Sequence, residues 1–275
     1  MAHFTCNFIS YVLNRAVDVD VIIPGVTSTE AGEPGVTHKP RWKYPVLYLL
    51  HGYCNDYSTW ERYTSIERYA EERRIAVVTF SAENNMYMKL QDVKKENPIE
   101  GLMEPDYEKF LMEELPDFVT SMFPISEKPS DTYIAGLSMG GFGALSNGFR
   151  YPDRFRAVGA FSPLTTQLRK NYRENPEVPA YLEKYEPLLL IQKAMKRGEM
   201  PDLYYCYGTE DFLYDMQDWF KEKLEENEVK CTIEVLPDYG HEWAFWDREV
   251  KAFLDWIPRT DPYYKEAPID RKSVV

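Results

Sequence analysis

Short apolar runs alternate with amphipathic stretches along most of the chain. "VDVDVIIP" (17–24) alternates with period two and predicts a half-buried edge strand. The Gly-, Pro- and Thr-rich stretch 27–42 predicts an exposed loop. "YPVLYLLHG" (44–52) is almost continuously apolar, as a strand buried on both faces of a parallel sheet must be. A helix over 64–74 and a buried strand over 75–82 follow. Residues 104–123 carry Phe110, Leu111, Leu115, Phe118 and Met122 at helical spacing, with Pro116 expected to kink the helix or break its ladder.

Strand 132–136, helix 141–151 and strand 156–162 continue the rhythm, which lapses over the charged, helix-flavoured segment 163–200. It resumes with strand 203–208, helix 216–226, strand 231–237 and helix 242–257. Such alternation predicts an α/β fold with one predominantly parallel sheet and helices on both faces. No internal repeat or convincing linker divides the chain, so 1–275 is read as a single domain.

Composition narrows the function classes. With 44% hydrophobic and 15% aromatic residues, the chain can bury a large core. A formal net charge of −13 argues against nucleic acid and anionic membranes as partners. Cys6, Cys54, Cys206 and Cys231 lie far apart, which fits unpaired thiols. The start "MAHFTCNFIS" lacks the basic and apolar regions of a signal peptide, and no run reaches the roughly 18 apolar residues of a membrane span. A soluble, cytoplasmic protein is expected. No His/Asp/Glu group has metal-ligand spacing, so neither metal nor cofactor is expected.

The chemistry concentrates in "AGLSMGG", where Gly136-Leu137-Ser138-Met139-Gly140 fits G-x-S-x-G between a predicted strand and a predicted helix. In such an elbow the serine sits on a strained turn, side chains two residues either side would collide with neighbours, and the following helix points its positive end at the hydroxyl. A serine needs a base, and the base an orienting acid. Of four histidines, His241 in "DYGHEW" is the one downstream of Ser138, in the chain order Ser, acid, His. "YCYGTEDFLYD" offers Glu210, Asp211 and Asp215, of which Asp211 has the preferred place just past the strand. The N–H of Met139 and that of Tyr53, in "LLHGYCND", are the candidate oxyanion donors, with His51 holding that loop by hydrogen bonds.

"LLHGYCNDYSTW", "EELPDF", "AGLSMGGFGAL", "YPDRFRAV", "GTEDFLYD" and "GHEWAFWD" resemble the esterase D / S-formylglutathione hydrolase-type esterases, most of all their tributyrin-esterase branch. The resemblance runs from about residue 10 to 257. It implies an α/β-hydrolase fold and cofactor-free hydrolysis of short-chain carboxylic esters, with Ser138 as nucleophile, Asp211 as acid, His241 as base, and Tyr53 and Met139 at the oxyanion. The same superfamily contains acetylxylan and feruloyl esterases and acyl-transferring enzymes, so sugar-linked esters and an acyltransferase activity stay open. A homo-oligomer is compatible with it. Segments 83–105 and 163–200 depart from the family and are expected to form a lid or rim. Asn84, Tyr87 and Trp243 are candidate pocket residues, Tyr87 and Trp243 being equally readable as ordinary core or surface aromatics.

Overall fold

The computed structural model describes residues 1–27, 30–89, 105–165 and 184–265. Eight strands form one sheet: β1 (Ala2–Ser10), β2 (Arg15–Ile23), β3 (Val46–Leu50), β4 (Ala76–Phe80), β5 (Thr132–Leu137), β6 (Ala157–Phe161), β7 (Asp202–Gly208) and β8 (Cys231–Leu236), in the order β1-β2-β4-β3-β5-β6-β7-β8. The β1–β2 and β2–β4 pairs are antiparallel, and every other pair is parallel. This is the α/β-hydrolase arrangement expected from the sequence.

The apolar runs are explained by helices on both faces. All five residues of β3 are buried. Val46, Tyr48 and Leu50 pack into one core with α3 (Tyr107–Lys109), α4 (Leu115–Met122), α5 (Met139–Arg150), α6 (Pro187–Arg197) and α7 (Tyr214–Glu226). Leu47 and Leu49 face a second core with α1 (Thr59–Tyr63), α2 (Ile66–Arg73) and α8 (Trp243–Trp256). A short α9 (Pro262–Lys265) follows. Among the described residues, no helix is long and apolar enough to cross a membrane.

Four features differ from the sequence reading. Residues 17–24 do form a strand, but β2 is not the edge: β1 covers it, and its polar Asp20 is buried. β1 had no hydrophobic signature because most of its side chains are at least partly exposed. Helix α1 was also missed. Within 163–200, α6 buries Leu188, Leu190, Ile191 and Ala194 as part of the core layer; residues 166–183, and 90–104 of the other expected rim segment, lie outside the described residues.

The expected disturbance around Pro116 takes the form of a π turn, Phe110–Glu114, joining α3 to α4. Proline offers no N–H to the carbonyl four residues back. That carbonyl, of Met112, instead accepts from Arg154 Nη2 at 3.1 Å. The π turn also directs the buried Glu114 carboxylate at the β1–β2 hairpin, where it accepts from Ser10 Oγ (2.6 Å) and the N–H groups of Tyr11 (2.8 Å) and Val12 (3.1 Å). Replacing Glu114 by Ala strands these donors beside a buried void. The expected cost is about 3 kcal/mol, or roughly 6–12 °C in Tm by thermal denaturation. An unchanged melting temperature would show that the hairpin does not depend on this contact.

Candidate active site

Ser138 lies between β5 and α5 with φ +52° and ψ −114°, a left-handed conformation that costs a non-glycine residue about 1–3 kcal/mol. The turn survives because the chain around it is over-determined. Its N–H donates to Phe161 O (2.9 Å), and its carbonyl accepts from Phe142 N–H (3.0 Å) and Leu164 N–H (3.1 Å). Glycine is required on each side for lack of space. A Cβ on Gly136 would lie 2.5 Å from the Gly140 carbonyl, and one on Gly140 would lie 2.4 Å from Leu50 O. The turn therefore presses α5 against the end of β3 and leaves Ser138 at the positive end of a twelve-residue helix.

Asp211 follows β7 and His241 follows β8, both at the carboxyl edge of the parallel strands, where β5 ends in Ser138. His241 Nδ1 and Asp211 Oδ2 are 2.9 Å apart. Since the carboxylate can only accept, the imidazole places its proton on Nδ1 and leaves Nε2 as the basic nitrogen. Asp211 is 3% exposed. Burial pushes its carboxyl up, but the hydrogen bond and charge of His241 and the Leu213 N–H outweigh this and hold it below the ordinary aspartate value. Leu213 N–H donates to Oδ1 at 2.8 Å and Gln217 Nε2 to Oδ2 at 3.3 Å. Glu210 and Asp215 are exposed, so the choice among the three acids is made by burial.

The loop after β3 runs beside the elbow: a Cβ on Gly52 would sit 3.5 Å from Ser138 Cβ. His51 Nδ1 donates to Gly52 O (2.7 Å), its Nε2 accepts from Ala82 N–H (2.9 Å), and burial lowers its pKa, so the ring is a neutral brace for this loop. Tyr53 is 57% exposed. Among the described residues, neither the Tyr53 nor the Met139 amide donates to a protein acceptor.

Tyr87 packs in the core. It is fully buried, its hydroxyl donates to His51 O (3.0 Å), and its carbonyl accepts from Asn147 Nδ2 of α5 (3.2 Å). It is a wedge between the loop after β3 and the helix. Asn84 is exposed and uses Oδ1 to hold the Cys54 N–H (2.8 Å). Trp243 is half-buried, stacked on Tyr63 and edge-on to Trp60 and Trp246. Trp246 in turn meets the His241 ring edge-on at 4.9 Å.

Sequence reasoning passed over Gln217 and Ser162 beside Asp211, and Phe212, 78% exposed with its ring 4.6 Å from that of His241. Ser162, at φ +44°, helps to lower the Asp211 carboxyl although its buried Oγ forms no well-aligned hydrogen bond. Gln217 lies in the first turn of α7, six residues after Asp211, and neither it nor Ser162 carries a recognisable motif. Two surface cavities, of about 350 and 450 Å³, lie elsewhere, lined by residues such as Tyr48 and Arg154 in one and Trp42 and Arg74 in the other.

The chain is similar to several known proteins. Residues 34–257 match the sequence model of the family described as "Putative esterase". An acetyl esterase of Caldicellulosiruptor saccharolyticus is 28% identical, covering 94% of this chain and 99% of that protein. Among solved structures, a fluorophosphonate-binding serine hydrolase of Staphylococcus aureus superposes with a TM-score of 0.75 at 27% identity, over 93% of this chain and 97% of its own. An S-formylglutathione hydrolase of the same organism superposes with a TM-score of 0.72, also at 27% identity, over 93% and 98%.

The lowered Asp211 pKa has a definite sign. The stability it contributes is present above the unfolded aspartate value of about 3.9 and is lost as the pH falls through the lower folded value. Wild type is therefore expected to exceed Asp211→Asn in stability at neutral pH, with the gap closing in strong acid. Urea unfolding of both proteins at a series of pH values measures it, and a gap independent of pH would contradict the assignment.

Proposed function

The chain belongs to this esterase family and is an ester-hydrolysing serine hydrolase, and we propose that it cleaves short-chain acyl esters through a triad of Ser138, His241 and Asp211. The observation that carries the reading is the buried Asp211 hydrogen-bonded to His241 Nδ1, on the same sheet edge as a serine held in a strained turn. His241 Nε2 takes the Ser138 proton as Oγ attacks the ester carbonyl carbon. The carbonyl oxygen becomes an oxyanion, received by the Tyr53 and Met139 amides and favoured by the α5 dipole. As the C–O bond to the alcohol breaks, the imidazolium returns its proton to the departing oxygen, leaving an acyl-serine. Water then attacks the acyl carbon with His241 again taking the proton, and Ser138 is released.

The acetyl esterase relative supports a small acyl group. A ferulic acid esterase, 25% identical with a TM-score of 0.69, keeps sugar-linked aromatic esters as the second reading. The exposed Phe212 ring beside His241 offers a stacking surface for either substrate's leaving group.

p-Nitrophenyl esters from acetate to decanoate test this directly. Rates are expected to peak at the shortest chains, to fall by about 10⁶-fold in Ser138→Ala and by about 10⁴-fold in Asp211→Asn, where the imidazole loses its fixed tautomer. Turnover that survives in Ser138→Ala would remove Ser138 as the nucleophile. A maximum at long chains would leave the triad intact and refute the short-chain reading. Phe212→Ala is expected to raise KM several-fold with kcat little changed, since one exposed stacking contact is worth about 1 kcal/mol.

A further inference from the structure

At the opposite edge of the sheet from His241, three residues far apart in sequence converge. His3 on β1, Asp20 on β2 and Glu61 on α1 each offer one ligand atom, and these atoms all lie within 4.8 Å of one another. The register explains the first pair. His3 is opposite Ile22, so Asp20, two residues away along β2, is its diagonal neighbour on the same face, the one covered by α1 and α2. His3 Nε2 is 3.1 Å from Asp20 Oδ2. Metal–ligand bonds of about 2.1 Å at angles from square to tetrahedral set ligand atoms roughly 3.0–3.4 Å apart, a separation this pair can keep on one ion.

Two further observations point to a cation. Asp20 is 2% exposed, yet its Oδ1 has no hydrogen-bond partner, and neither has Glu61 Oε2. Carboxylate oxygens buried without a partner are costly unless positive charge lies beside them. The histidine is also oriented as a ligand. Its Nδ1 is 2.9 Å from Glu67 Oε1 of α2, a carboxylate on the far side of the ring of the kind that orients a metal-bound imidazole. One imidazole nitrogen and two carboxylates form a donor set of intermediate softness, suited to Zn²⁺ and its neighbours in the first transition row.

We propose that His3, Asp20 and Glu61 bind a divalent transition-metal ion of the Zn²⁺ type, oriented by Glu67, with the fourth position left to water. The ion is structural. It ties the edge strand β1 to β2 and to α1.

The test uses the full chain, stripped with chelator and then titrated with Zn²⁺ by calorimetry, with Co²⁺ as a spectroscopic probe. One equivalent of Zn²⁺ is expected to bind, and the Tm to rise by roughly 5 °C at a hundredfold excess over Kd. Co²⁺ should show the intense visible bands of a four-coordinate site. His3→Gln, at a partly exposed position, should abolish both, and Glu67→Gln should weaken binding about 10–100-fold. Asp20→Asn provides a second ligand variant, and circular dichroism in chelator establishes that each variant is folded. Absence of one-equivalent binding to wild type would overturn the proposal, as would binding that persists unchanged in folded His3→Gln.

Discussion

The chain reversal at Ser138 is the constraint from which the rest of the site follows. A helix can begin directly at the end of a buried central strand only if the turn is tight. A tight turn here puts one residue at positive φ and drives the first turn of α5 onto the end of β3, with Leu50 O against Gly140. That contact fixes the loop after β3 at the side of the serine without any bond between the two. Tyr87 then locks the arrangement, since its hydroxyl holds the loop at His51 O while Asn147, two turns into α5, holds its carbonyl. The strain at Ser138 is thus distributed over a braced unit of strand, helix and wedge. It need not be offset by any single strong interaction.

How much of this was visible in the sequence depended on whether a residue's job is local. The buried strands announced themselves because a strand covered on both faces has no polar side to show. The elbow did so because steric exclusion leaves glycine as the residue that fits at Gly136 and Gly140. The order of Ser138, Asp211 and His241 was readable because each follows a strand whose end lies at the same sheet edge. Tyr87 was ambiguous for the opposite reason: an aromatic flanked by methionines reads the same whether it lines a cleft or wedges a loop. β1 was invisible because an edge strand with an exposed face carries little hydrophobic pattern, and α6 was obscured by the charged segment around it.

The acid cluster at the far edge shows a further limit. Metal sites are recognisable in sequence when their ligands share a helix or a loop. His3, Asp20 and Glu61 come from an edge strand, its neighbour and a short helix, so spacing carries no information and the antiparallel register supplies the proximity. Asp20 looked like the polar half of a period-two strand. It is buried because α1 and α2 cover its face and β1 adds a strand outside β2.

The two edges are linked through α1, which is too short to be stable by itself. Trp60 anchors it, donating its indole N–H to Leu50 O at 3.1 Å, on the last residue of β3 before the loop that runs beside Ser138. Edge-on contacts continue from Trp60 to Trp243, from Trp243 to Trp246, and from Trp246 to the His241 ring. One short helix therefore supports both the loop beside Ser138 and the ring of His241. Glu61 is the next residue along that helix, and its carboxylate belongs to the cluster with His3 and Asp20. An ion held there would fix α1 at its outer face while Trp60 fixes it at its inner face. Rigidity at a sheet edge would then reach His241, the proposed base, through packed rings, with no ligand of the ion taking part in the proposed chemistry.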